Sequence, residues 1–130
     1  MFKNTPAFSG FSVDNLEVAK KFYGETLGLT VSQDKMGLSL KIHGGNDIFV
    51  YPKEDHQAAS YTMLNFVVED IDKAVKDLTA KNVEMEKYDF GGGMKTDEQG
   101  IMRGIAAGQG PDIAWFKDPA GNIISVLQEK

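Results

Sequence analysis

Two histidines, His43 and His56, are the only side chains in this chain that exchange a proton near neutral pH without a large environmental shift. His43 closes an apolar run beside Gly44-Gly45 and reads as exposed. His56 lies in the polar connector Glu54-Asp55-His56-Gln57, where a solvated ring is the usual outcome. If an acid or base operates here, His56 reaching over a rim is the first candidate and Tyr51 the second, and spacing names no partner for either. Other chemistries are excluded. With no cysteine there is no disulfide, thiolate metal site or thiol nucleophile. Gly91-Gly92-Gly93 is not a phosphate loop, because no Gly-Lys-Ser/Thr follows and no helix opens there. Glu84 and Glu86 alternate with Val83 and Met85 and face water.

The chain that must position these groups has 130 residues, enough for one domain (1–130) with a real core. Its apolar content of 42% and charged content of 25% suit a globular protein with no membrane span. The start, Met1-Phe2-Lys3-Asn4-Thr5-Pro6, has no apolar core of signal-peptide length, so a cytoplasmic location is expected. A net charge of −5 with scattered basic residues argues against nucleic acid as a partner and leaves a small molecule or a protein.

The clearest local structure is the last hairpin. Ile113 to Lys117 and Ile123 to Gln128 flank Asp118-Pro119-Ala120-Gly121-Asn122, in which Pro119 pre-sets φ, Gly121 tolerates positive φ, and Asp118 and Asn122 bond local backbone. Both faces of the last strand are largely apolar, so it is covered twice, and what Ser125 faces becomes a central question.

From the start, Phe8 to Val13 predicts a strand. Asp14-Asn15 then cap a helix that carries Leu16, Val18, Ala19, Phe22 and Tyr23 and ends at Gly28. Strands near Leu29 to Gln33, Leu38 to Ile42 and Ile48 to Tyr51 complete a βαβββ module over 7–52. The same grammar restarts 55 residues on, pairing Phe11 with Phe66, Val13 with Val68, Asn15 with Asp70, Leu16 with Ile71 and Ala19 with Ala74. We read this as an internal duplication, with a second module over 61–130. In that copy Asn82 stands where Gly28 stood, Val83 to Tyr88 predicts the next strand, and the terminal hairpin supplies two more. Asp89 to Gly110 is too long and glycine-rich for a mere connector, and reads either as a lid or binding loop or as a solvated one.

The duplicated modules, Phe22-Tyr23 with Leu27-Gly28, the second strand-to-helix passage Leu64 to Ala74, and Trp115 to Asn122 resemble the vicinal oxygen chelate superfamily of glyoxalases, bleomycin-resistance proteins and dioxygenases. The resemblance implies an α+β glyoxalase-like fold, with two βαβββ modules forming a curved mixed sheet around a cavity, and a homodimer. Many such enzymes hold a divalent metal with four side chains. Carried onto this chain, those positions fall on Phe8, Met63, Ser125, and Phe49 or Tyr51. Phe8 and Phe49 have no lone pair, Met63 is a soft thioether, and Ser125 and Tyr51 are neutral oxygen donors. A metal-free member with no cofactor is therefore expected.

Strand parity extends that picture. Phe11, Val13, Leu64, Phe66 and Val68 pack on the helices, leaving Phe8, Ser12, Phe49, Tyr51, Met63, Asn65, Trp115 and Ser125 as the expected ligand-binding set. Phe8, Phe49 and Met63 could instead plug the space of a metal or meet another subunit, and Trp115 could be core or interface. Asn65 is more suggestive, since an inward amide must find partners. Three functions follow: metal-independent binding of a partly aromatic or apolar small molecule, as in bleomycin resistance; a lyase or isomerase of the glyoxalase kind, or another enzyme of the superfamily with a non-standard site, using His56 or Tyr51; or a structural or regulatory dimer whose cavity is filled by its own side chains.

Overall fold

The computed structural model describes all 130 residues, which divide into two compact units, Met1–Ala58 and Ala59–Lys130. In the first, β1 (Gly10–Val13) leads into α1 (Leu16–Lys21) and a π turn (Phe22–Thr26), followed by β2 (Val31–Gln33), β3 (Leu38–Leu40) and β4 (Ile48–Pro52). The second contains β5 (Thr62–Val67), α2 (Ile71–Ala80), β6 (Ile101–Arg103), β7 (Asp112–Lys117) and β8 (Ile123–Gln128). Each unit is a four-stranded mixed sheet, ordered β1-β4-β3-β2 and β5-β8-β7-β6, in which only the first strand pairs in parallel. This is an α+β, glyoxalase-like arrangement of two βαβββ-like modules.

Both units start their helix in the same way. The Asn15 side chain accepts the Val18 N–H at 3.1 Å, and Asp70 accepts the Lys73 N–H at 3.0 Å, each satisfying a donor that the first turn leaves unpaired. The helices then differ. In α2 the stripe Ile71, Val75 and Leu78 is buried against β7 and β8. In the first unit the helix widens, with Leu27 N–H reaching the Phe22 carbonyl five residues back at 2.9 Å. The cause is in the spacing. The left-handed Gly28 (φ 75°) lies thirteen positions after Asn15 and the left-handed Asn82 (φ 65°) twelve positions after Asp70, so the first copy must absorb one extra residue.

The helix-facing rows form the cores: Val13, Leu38, Leu40, Ile48 and Val50 in the first unit, and Ile101, Ala114, Phe116, Ile124 and Val126 in the second. At the hairpin turn the buried Asp118 carboxylate accepts the N–H groups of Ala120 (2.9 Å) and Asn122 (2.8 Å) and the Asn122 amide (3.0 Å). Asp118 bonds local backbone as read from the sequence and Gly121 takes positive φ (86°), whereas the Asn122 amide donates to the Asp118 side chain.

Three expectations need correction. The first strand begins at Gly10, and Phe8 lies outside it, 70% exposed. Val83 to Tyr88 is not a strand but a single bridge, Met85 to Phe116, with Glu86 N–H donating to Trp115 O at 2.9 Å. The strand expected there is Ile101–Arg103, inside the stretch read as loop. The reason is that the free edge of β7 is shared. Its Asp112 to Ala114 half pairs with β6, so the 83–88 segment reaches only Trp115 and Phe116.

Candidate binding face and acid/base pair

In the second unit, the register sets Asn65, Ser125 and Trp115 side by side across β5, β8 and β7. Partners opposite one another point the same way, so these three share the sheet face turned away from α2. Ser125 is fully buried, and its hydroxyl donates to Asn65 Oδ1 at 2.5 Å. The Trp115 indole N–H donates to Thr62 Oγ1 at 3.0 Å. A register shift between Thr62 and Leu64 puts Thr62 opposite Ile123, in the row expected for Met63, which is half-buried in the irregularity.

Two further rings complete this face. Tyr88 meets Trp115 at a centroid distance of 5.3 Å and 65°, Phe90 meets it at 5.7 Å and 66°, and the two contact each other at 5.8 Å. A short hairpin holds them there: Asp89 bridges Lys95, Phe90 N–H bonds Met94 O, and Tyr88 N–H bonds Thr96 Oγ1. Trp115 is 8% exposed and Phe90 is 61% exposed, so the cluster has a packed base and an open rim. Burial, reinforced by the negative Glu86, pushes the Tyr88 phenol above its ordinary range, so it stays a neutral hydrogen-bonding group.

The first unit gathers a different set. Its register puts Ser12 opposite Tyr51 and Gly10 opposite Phe49, and the Phe49 and Tyr51 rings stack at 5.7 Å and 19°. Ser12 Oγ lies 2.6 Å from His56 Nδ1, both residues being half-buried. The turn after β4 positions the histidine: Lys53 N–H bonds Val13 O, and His56 N–H bonds Lys53 O. His56 is thus held by β1 and is not the solvated connector residue expected, whereas His43 is exposed.

The expected ligand set therefore falls into two groups, Asn65, Ser125 and Trp115 with Met63 beside them, and Ser12, Phe49 and Tyr51, while the exposed Phe8 joins neither. Sequence reasoning missed Thr62, Tyr88, Phe90 and the Ser12–His56 pairing. The spacing of Tyr88 and Phe90, which puts both on one side of an extended segment, was a usable signal. Nothing in the sequence marks the bulge that selects Thr62.

The family model of the Glyoxalase/Bleomycin resistance protein/Dioxygenase superfamily matches residues 8–126. The chain belongs to this superfamily. Among solved structures it is similar to a glyoxalase family protein from Enterococcus faecalis, at 22% identity over 98% of this chain and 99% of that one, with a TM-score of 0.67. It is also similar to TnmS3, an antibiotic binding protein from Streptomyces sp. CB03234, at 23% identity over 98% of both chains with a TM-score of 0.66. A third is the fosfomycin resistance protein FosX from Listeria monocytogenes, at 13% identity over 98% of this chain and 94% of that one, with a TM-score of 0.67. No curated protein matches. No helix is long and apolar enough to cross a membrane.

The divalent metal that the superfamily implies does not fit the residues of this member. Ser125 already gives its hydroxyl proton to Asn65, Phe49 and Tyr51 stack on each other, and no group of three His, Cys, Asp or Glu side chains is arranged to hold a metal ion, the aspartates Asp72, Asp97 and Asp112 being gathered around Arg103 instead. Hard or borderline cations need such donors.

Proposed function

We propose that this superfamily member binds a small, partly aromatic molecule on the open face of its second sheet, without a metal ion. The observation that carries this reading is the Tyr88, Phe90 and Trp115 cluster, beside the hydrogen-bonded row Asn65–Ser125. Aromatic faces supply contact area at little entropic cost, and a few fixed polar groups set orientation. TnmS3, which shares the fold, is an antibiotic binding protein, so aromatic antibiotics are the first ligands to try.

Trp115 is the only tryptophan, so its emission reports on this face alone. Titration with a panel of aromatic antibiotics is expected to give a saturable change for at least one compound, unaltered by EDTA. Phe90→Ala should weaken binding by about tenfold, the size of one lost ring contact. Absence of saturable binding across the panel, or binding abolished by chelation and restored by one divalent metal, would overturn the proposal. We also propose a homodimer, which light scattering on the purified protein tests.

A second reading, a lyase or isomerase of the glyoxalase kind, draws on the contact between Ser12 and His56. It requires turnover of a hemithioacetal or similar substrate that His56→Ala abolishes.

A further inference from the structure

We infer that Ser12 and His56 form a nucleophile and base pair for acyl transfer from a neutral aryl ester. This does not depend on ligand binding in the second unit. The 2.6 Å separation of Ser12 Oγ and His56 Nδ1 is within the range of an activated serine. With the imidazole proton on Nε2, the hydroxyl donates to Nδ1, so the lone pair of the base is aimed at the hydroxyl and not at a substrate carbon. That alignment suits deprotonation of Ser12 better than abstraction of a carbon-bound proton.

The surroundings select the substrate. Tyr51 stands opposite Ser12 in the register and stacks with Phe49, giving a flat aromatic surface beside the hydroxyl. Lys53 pairs with Asp55 at 2.5 Å, which leaves the exposed Glu54 as the remaining charge of the turn, a carboxylate that repels an anionic ester and tolerates a neutral one. In the step itself, the Ser12 hydroxyl proton passes to His56 Nδ1 as Oγ bonds to the ester carbonyl carbon. The carbon–oxygen bond to the aryloxide breaks, and that oxygen takes the proton from His56. Water then repeats the sequence on the acyl-serine, releasing the carboxylic acid and restoring the hydroxyl.

The test combines hydrolysis of p-nitrophenyl acetate with covalent labelling by a fluorophosphonate, followed by peptide mass analysis. The intact protein is expected to carry one adduct, on Ser12. In His56→Ala both hydrolysis and labelling should fall by about a hundredfold, the usual contribution of a general base, and added imidazole should restore part of the hydrolysis. Ser32→Ala, on the exposed end of the sheet, should label as the parent does. An adduct on any residue other than Ser12, no adduct beyond that of heat-denatured protein, or an equal rate in a His56→Ala variant that melts like the parent would each overturn the inference. Because the site of labelling is read on the unmodified sequence, the result stands even if a variant fails to fold.

Discussion

The two units run one folding programme to different ends. At the constant spacing of 55 residues, the positions that face the helices keep their character, as in Phe11 with Phe66, Leu16 with Ile71 and Ala19 with Ala74. The positions on the other face do not: Gly10 corresponds to Asn65 and Ser12 to Val67. One face must pack against a helix in both copies, and close packing tolerates little change. The opposite face carries no such requirement, and there one unit builds a hydroxyl–imidazole contact beside two stacked rings while the other builds a three-ring cluster beside an amide–hydroxyl bond.

The largest effect expected of a single change concerns that shared helix face. Tyr23 is fully buried against Phe11 and Phe22, where the second copy has Leu78. Tyr23→Ala should cost about 3–5 kcal/mol in urea unfolding, and Tyr23→Leu, which imports the second copy's solution, distinctly less. Equal losses would mean that the two helix faces are not packed alike. Next come the turns. Asp118→Ala removes a buried carboxylate with three donors and should cost about 2–3 kcal/mol, whereas Asp47→Ala, on the exposed turn of the first unit, should change stability by less than about 0.5 kcal/mol.

The caps should behave as equals. Asn15→Ala and Asp70→Ala are each expected to lower stability by about 1 kcal/mol, and a large disparity would show that the two helix starts are alike only in sequence. The smallest effect is one of pH and belongs to the second unit. Arg103 donates to both carboxylate oxygens of Asp72, which holds that carboxyl below its ordinary range, while the same contact raises the guanidinium further above neutrality. A depressed carboxyl stabilises the fold above its unfolded value, and that stabilisation is lost as pH falls through the folded value. Arg103→Met should therefore lower the melting temperature slightly at neutral pH and flatten its decline in acid. An identical acid decline in both proteins would remove the Arg103 pair from consideration.

Much of the scaffold was legible because its signals are local. Helix caps, the Asp118 to Asn122 turn and the apolar rows depend on neighbours in the chain, and each recurs at the expected residue. The π turn leaves only a trace, the one-residue offset of Gly28 and Asn82 from the 55-residue repeat, which by itself does not say where or how the helix absorbs the extra residue. What failed was competition for a sheet edge. The alternation through Val83 and Met85 is a sound strand signal, yet β6 took the neighbouring half of β7, and that outcome depends on residues beyond the reach of periodicity.

By itself the sequence determined two βαβββ modules and their helix-facing cores, because side-chain type, alternation and spacing are properties of the chain as a string. Only the tertiary structure decided that Thr62 meets Trp115, that Tyr88 and Phe90 close on the same ring, and that His56 finds Ser12 across 44 positions. A bulge, a shared edge and a turn anchored on another strand set those contacts. Each follows from where backbone hydrogen bonds are completed in space, which no local pattern of residues specifies.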